Sequence, residues 1–397
     1  MIFQVDRNLF LRALERTRNA VMTYREAYYK SGWKDIFTSY IFKADCDQLT
    51  IETSNSEIYM SETVSIGNPK AEKKIFAVNA GQLIKAIKTL DSQSLEFEVL
   101  EYQIIVRHSI GQFALPLVYG VEEYNAYPRP TLDHGRAQYI ELEAPGLRAI
   151  LNRLNFAIAQ DELRPAMNGV IINLTKEHTD FVASDGHVLA RIRKPSIKTE
   201  RPAAMIIPRR AIGILQKILP TTGFVEIYFN EYDVNWPADS EVKQPAPVYH
   251  IIVDGITITG KPIEGRYPNY NSVIPTTFYK EFTANRTTLI KSFERLSQFT
   301  STSGLITLEL RYGKLTMTAA DKDFELSAKE TLPITYTGEL FKIGFKDHYL
   351  LQLLKNIAST DVVFNIVDQS RAVIVSPSIQ PENEEITMLM MPMLVND

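Results

Sequence analysis

The sequence predicts an α+β protein made of three tandem homologous domains, each an antiparallel sheet with two helices on one face. Three observations predict it. A short amphipathic helix with a basic outer face occurs three times, a second basic helix occurs three times in alternation with it, and a strand-turn-strand segment lies between the members of each pair.

The first helix is clearest over residues 7–18, where Leu9, Phe10, Ala13 and Leu14 fall at helical spacing and Arg7, Arg12, Arg16 and Arg18 are left for the outer side. It returns over 145–154, with Arg148 and Arg153, and over 285–296, with Lys291 and Arg295. The second helix occupies 79–90, with Lys85 and Lys88, then 208–219, with Arg209, Arg210 and Lys217, and finally 346–357. Alternating apolar residues around a central turn mark the hairpins over 49–60, 179–190 and 315–326. Three more strands, over 95–100, 103–108 and 111–117, close the first domain.

Dividing 397 residues by three gives units of about 130, long enough for a core each and too long for the repeats of a solenoid. The breaks fall at Tyr127-Pro-Arg-Pro-Thr-Leu-Asp-His-Gly135, where two prolines stop regular structure, and at a second linker over 264–275. The expected domains are therefore 1–129, 130–276 and 277–397. Residues 24–34, rich in aromatics and bases, form a loop or frayed extension that the other two copies lack.

Few marks of catalysis are present. Gly255-Ile-Thr-Ile-Thr-Gly-Lys261 meets most of a phosphate-loop pattern, but Pro262 stands where a magnesium-binding hydroxyl belongs and the alternation is that of a strand. Six histidines are scattered without metal-ligand spacing, so no metal and no cofactor is expected. Cys46 is the sole cysteine, which excludes an internal disulfide, and its acidic neighbours raise a thiol pKa. Without a leader or a membrane-length apolar run, the expectation is a soluble cytoplasmic protein with no membrane partner.

Charge is distributed unevenly. Lysines and arginines exceed acids by thirteen over the six helices, while the whole chain carries −4, leaving −17 elsewhere. Six helices biased to one sign on a chain biased to the other point to a shared polyanionic partner. If they line a common hole, helices packed about 10 Å apart give six of them an opening near 10 Å and twelve an opening of about 28 Å. Only the latter admits a duplex roughly 20 Å across. Two copies joined head to tail would supply twelve, hold DNA by topology, and touch phosphates without reading bases.

The repeats, together with Arg164-Pro-Ala-Met-Asn-Gly169, Ser184-Asp-Gly-His187, Gly265-Arg-Tyr-Pro-Asn-Tyr270 and the terminal Met391-Pro-Met393, resemble the bacterial DNA polymerase III beta subunit family of sliding clamps over the whole chain. The resemblance implies the DNA clamp fold and a homodimeric ring that is half one chain and half another. It also implies a clamp loader that places the ring on double-stranded DNA and a replicative polymerase tethered to it. A pocket for short partner peptides is implied as well. Carried over motif by motif, its wall is Met167, Ser184, Gly186, His187, Val188, Leu189, Pro268, Val273, Leu389, Met391, Pro392 and Met393. Val188 stands where a well-known form of the motif has arginine, and the ending Leu394-Val-Asn-Asp397 is longer and acidic. The DNA-facing set is Arg7, Arg12, Arg16, Lys85, Lys88, Arg148, Arg153, Arg164, Arg209, Arg210, Lys217, Lys291 and Arg295. Phe113 and Leu115 in domain one, with Leu296 and Phe299 in domain three, are the expected dimer seam, since an edge strand needs a partner. The rivals are a metal-dependent nucleic-acid enzyme using Asp321 or Asp323, and a scaffold that binds acidic protein tails.

Overall fold

A computed structural model describes residues 1–23, 26, 36–67, 73–126, 131–133, 135, 137–230, 246–321 and 323–395. Except for Glu26, the 24–34 segment lies outside them, as do Asn396 and Asp397 and most of the first expected linker.

The first copy runs β1 (Ile2–Asp6), α1 (Arg7–Thr17), β2 (Ser39–Asp45), β3 (Gln48–Ser54), β4 (Ile58–Ser65), β5 (Lys74–Asn79), α2 (Ala80–Lys88), β6 (Ser94–Val99), β7 (Gln103–His108) and β8 (Gly111–Pro116). A short helix that the sequence reading did not anticipate, α3 (Val121–Ala126), follows. The second copy repeats the order as β9 (Gln138–Glu143), α4 (Ala144–Leu154), β10 (Gly169–Leu174), β11 (Thr179–Ser184), β12 (Val188–Lys194), β13 (Ala203–Pro208), α5 (Arg209–Ile218), β14 (Phe224–Asn230), β15 (Val248–Val253) and β16 (Ile256–Gly260). The third is β17 (Lys280–Asn285), α6 (Arg286–Leu296), β18 (Leu305–Arg311), β19 (Lys314–Asp321), β20 (Leu326–Pro333), β21 (Phe341–Lys346), α7 (Asp347–Lys355), β22 (Asp361–Ile366), β23 (Val373–Pro377) and β24 (Glu385–Met390).

These elements gather into two compact units, one of residues 1–147 and 217–262, the other of 148–216 and 263–397. The first unit holds a four-stranded sheet, β1-β6-β7-β8, and an eight-stranded sheet, β5-β2-β3-β4-β16-β15-β14-β9. In the second are an eight-stranded sheet, β13-β10-β11-β12-β24-β23-β22-β17, and a four-stranded one, β20-β19-β18-β21. Each eight-stranded sheet thus joins half of one copy to half of the next. The joints are antiparallel: Tyr59 on β4 faces Thr259 on β16, and Leu189 on β12 faces Leu389 on β24. Among the described residues, the counterpart strands β8 and β20 end their sheets, each paired on one side only.

Local chemistry accounts for the helices. Asp6 caps α1 by accepting from the Asn8 and Leu9 amides, Asn79 caps α2 through the Gln82 amide, and Asn285 caps α6 through that of Thr288. The buried stripe of α1 is Phe10, Ala13, Leu14 and Thr17, a three-four spacing. Leu9, expected on that stripe, is 53% exposed, because its position falls outside the arc that faces the sheet. The first core packs Phe10, Leu14, Leu83 and Ile87 against Phe3, Phe42, Phe76 and Phe97 from the strands. Phe3 stacks on Phe97 at 5.0 Å, with Phe10 edge-on to the same ring at 5.1 Å.

Two sequence motifs resolve into structure. The phosphate-loop lookalike is the β15–β16 turn and the paired strand β16, as the alternation of its residues required. Asp321 is buried and its Oδ1 accepts from the Asp323 amide at 3.0 Å, which commits it to the β19–β20 turn. No helix among the described residues is long and apolar enough to cross a membrane.

Candidate functional site

In the second unit, most of the residues expected to wall a peptide pocket gather where β12 meets β24. Their frame is the turn Ser184–Val188. There Ser184 Oγ donates to the Val188 carbonyl at 2.8 Å, and Asp185 Oδ1 accepts from the His187 and Val188 amides at 2.8 and 2.9 Å. Gly186 has φ +92, and a Cβ there would lie 2.6 Å from Nη1 of Arg164. The positive φ favours glycine, while the guanidinium is the far end of a flexible side chain and could give way. The Met391 amide donates to the His187 carbonyl at 2.8 Å, which ties the terminal segment to the turn.

The floor is apolar: Leu189, Leu389, Tyr267, Tyr270, Ile171, Val182, Ile206 and Ala372 form one buried cluster. Tyr270 is fixed by polar bonds as well, accepting from Asn173 Nδ2 at 2.8 Å and donating to Asp180 Oδ2 at 3.0 Å. Asp180 is almost fully buried. Burial alone would raise its pKa, but the Arg193 guanidinium, at 2.8 and 3.0 Å, outweighs that and holds the carboxyl below the ordinary range. The segment read as a second linker is therefore not loose; Tyr267 and Tyr270 are part of a core.

Exposed or half-exposed residues make the rim: Gly186, His187, Pro268, Val273 (51%), Met391 (40%), Pro392 and Met393. Met167, Val188, Leu189 and Leu389 are buried, and Ser184 is half-buried. Of these, Val188 is 0% exposed and, because side chains alternate along a strand, lies on the face of the sheet opposite to Leu189. That corrects its assignment to the wall.

Two neighbours of this turn, Tyr349 and Lys346, carried no signal in the sequence. Tyr349 on α7 stacks on His187 at 5.8 Å with the rings 16° apart, and Lys346 Nζ lies 6.0 Å from its ring centroid. Burial and a hydrogen bond to Asp185 push its hydroxyl up to about 12. Arg164, expected on DNA, is 48% exposed and lies over the Gly186 turn, with its Nε donating to Asp161 Oδ2 at 2.8 Å.

The basic helices separate into two groups. Arg7 lies across the end of α2, donating to the Ile87 and Lys88 carbonyls at 3.2 and 2.9 Å. Arg16, 12% exposed, pairs with Glu62 at 3.1 Å and Asp254 at 3.3 Å, and Arg12 also reaches Asp254. Arg153, 19% exposed, pairs with Glu384 at 2.7 Å. Arg7, Arg16 and Arg153 thus serve the fold, which their charge alone could not reveal. Lys85, Lys217 and Lys291 are exposed, as are Lys88, paired with Glu15, and Arg295, paired with Glu330. Arg148, Arg209 and Arg210 are half-buried.

Among the seam residues, Phe113 and Leu115 are half-buried on the edge strand β8, and Phe299 is half-buried beyond α6. Leu296 is 0% exposed. It occupies the position held by Thr17 in α1 and Leu154 in α4, also 0% exposed, so it belongs to the third core and not to a seam.

Copies of one module joined by main-chain pairing, with an apolar cluster packed at one joint, define a tandem-module protein. Models of the DNA polymerase III beta subunit match nearly the whole chain: the N-terminal domain over 1–128, the central domain over 141–269 and the C-terminal domain over 271–394. The chain belongs to this family, the bacterial beta sliding clamps of DNA replication. It is 25% identical to the beta sliding clamp of Pseudomonas putida over 87% of this chain and 89% of that one. With the clamp of Streptococcus pneumoniae it is 24% identical over 99% of each. Its fold matches the crystal structure of the DNA polymerase III subunit beta of Pseudomonas aeruginosa at TM-score 0.84 and 23% identity, and that of Thermotoga maritima at 0.82 and 19%, each over all of both chains.

Proposed function

We propose that two copies of this chain close head to tail into a ring around duplex DNA and tether the replicative polymerase. One observation carries the reading. The strands equivalent to β4 and β12, and to β16 and β24, are paired inside the chain, whereas their third representatives, β20 and β8, stand at sheet edges. Joining β8 of one copy to β20 of another repeats the two existing joints. Counting along the repeats, Ala114 and Ser327 correspond to the facing pairs Thr259–Tyr59 and Leu389–Leu189, so Phe113 would face Ala328 and Leu115 would face Leu326. Three domains per chain, with bounds at 129 and 276, then give six per ring.

The exposed bases Arg12, Lys85, Lys88, Lys217 and Lys291, with the half-buried Arg148, Arg209 and Arg210, contact DNA through phosphates, whatever the sequence. The pocket beside His187, Met391 and Tyr349 receives apolar segments of the polymerase, the clamp loader and other partners; Met side chains adapt to varied ligands. Solved clamps of similar fold support this: that of Pseudomonas aeruginosa is bound to griselimycin, and that of Borrelia burgdorferi is in complex with a natural product. The activity needs no covalent chemistry, and its setting is the cytoplasm.

Sedimentation combined with DNA retention tests the reading. The protein loaded on nicked circular DNA should stay bound and leave promptly once the circle is cut. Phe113→Asp should sediment as monomer and show no retention. Equal loss from circular and linear DNA would reject the ring.

A further inference from the structure

In a head-to-tail ring, the seam between copies can be compared position by position with the two joints inside the chain. At the β4–β16 joint, Arg16 holds Glu62 of its own copy and reaches across to the β15–β16 turn. Its guanidinium donates to Asp254 Oδ2 at 3.3 Å and to the Val253 and Asp254 carbonyls at 3.1 and 2.8 Å. Asp254 stands five residues before Thr259, the residue that faces Tyr59. At the β12–β24 joint, Arg153 occupies the same position on α4 and donates to Glu384 at 2.7 Å. Glu384 stands five residues before Leu389, which faces Leu189, and Lys194 reaches it too at 2.7 Å. The connections differ, a two-residue turn in one case and residues 378–384 in the other, yet both deliver a carboxylate to the same arginine.

Arg295 on α6 is the third of these arginines. It grips Glu330, the counterpart of Glu62, through Nε at 2.6 Å and Nη2 at 2.7 Å. Five residues before Ala114, where the crossing acid should be, the chain has Ser109, flanked by His108 and Ile110. Arg295 is also 58% exposed, against 12% for Arg16 and 19% for Arg153. That is the state of Arg16 or Arg153 with the neighbouring copy's hairpin taken away.

We infer, resting on the head-to-tail ring proposed above, that the seam between two copies is built without the arginine latch that fastens both joints inside the chain. Arg295 is a half-latch, and the turn that would complete it offers a hydroxyl in place of a carboxylate. A charge-assisted hydrogen bond in a partly buried setting is worth more than a neutral one, so its omission weakens this seam relative to the other two.

Restoring the acid tests the inference. Ser109→Asp in the full-length protein should tighten the dimer about tenfold per seam, hence about a hundredfold for a ring that closes two seams at once. Sedimentation across a dilution series reads the dissociation constant, with Ser109→Asn as the uncharged control. The gain should vanish when Arg295→Gln is added. A wild-type chain that is monomeric at every concentration would reject the head-to-tail reading itself. A wild-type dimer that Ser109→Asp leaves unchanged or loosens, or a gain that survives Arg295→Gln, would overturn the latch while leaving the ring intact.

Discussion

Gly344 on β21 offers the sharpest test of how the pocket is held. The terminal segment crosses directly over it, with the Met393 amide donating to the Gly344 carbonyl at 2.8 Å. A Cβ at 344 would lie 2.7 Å from Leu305 Cδ1, 2.8 Å from Val395 Cγ2 and 3.0 Å from the Met393 carbonyl oxygen, all inside ordinary contact distance. The two methyl groups can swing aside, but the carbonyl oxygen moves only with its backbone. Gly344→Ala should therefore lift the segment by a few tenths of an ångström and strain its bridge to β21. Losing that hydrogen bond costs about 0.5–1.5 kcal/mol and leaves Met391, two residues upstream on the rim, held through its own bond to the His187 carbonyl alone. If the proposed pocket takes griselimycin as the Pseudomonas aeruginosa clamp does, binding of a fluorophore-labelled form, followed by anisotropy, should weaken about three- to tenfold. Gly213→Ala is the control: a Cβ there meets nothing within 4 Å, so it should stabilise α5 by several tenths of a kcal/mol and leave the ligand alone. Gly344→Ala binding within a factor of two of wild type, with an unchanged melting profile, would refute the reasoning.

Two further outcomes are expected. Burial alone would raise the pKa of Glu384, but Lys194 and Arg153 outweigh it and hold the carboxyl below the ordinary range, so the stability it confers is complete above about pH 4.3 and is lost as pH falls through the lowered value. Amide protection along β24, taken relative to the intrinsic exchange rate at each pH, should fall on acidification in the wild type, and in Glu384→Gln it should already be low at neutral pH. Leu296→Ala, which empties a fully buried site, should cost the third core about 2–5 kcal/mol in urea unfolding without changing the native mass at high concentration, whereas Phe299→Asp should halve that mass.

Much of this architecture can be read from the chain because it is written three times. A single basic helix or alternating hairpin is ambiguous, but the same pair in the same order in all three copies is not, and the helices fall where periodicity puts them. What periodicity cannot report is which strand lies next to which. Residues 58–62 pair with 256–260 across nearly two hundred positions, and an edge strand alternates just as a central one does. Hence the unforeseen joints, and hence Val188 and Leu296 given to surfaces when both are core. Charge has the same blind spot. Arg16 and Arg153 look like any other outward bases until acids from distant hairpins arrive beside them. Tyr349 reaches the pocket only through a turn more than 160 residues earlier, which no local pattern could announce.

The eight-stranded sheets have a consequence for how such a chain can be shortened. The unit that was duplicated is not the unit that satisfies its own backbone: a gene fragment ending after the first copy would strip β4 of the strand that caps it and leave a row of bare amides and carbonyls. Such a fragment would hold a donor edge at β8 and an acceptor edge at β4 of matching polarity, so each molecule could prime the next. Aggregation into open-ended chains, rather than simple unfolding, is the failure to expect from cutting this protein at its apparent seams.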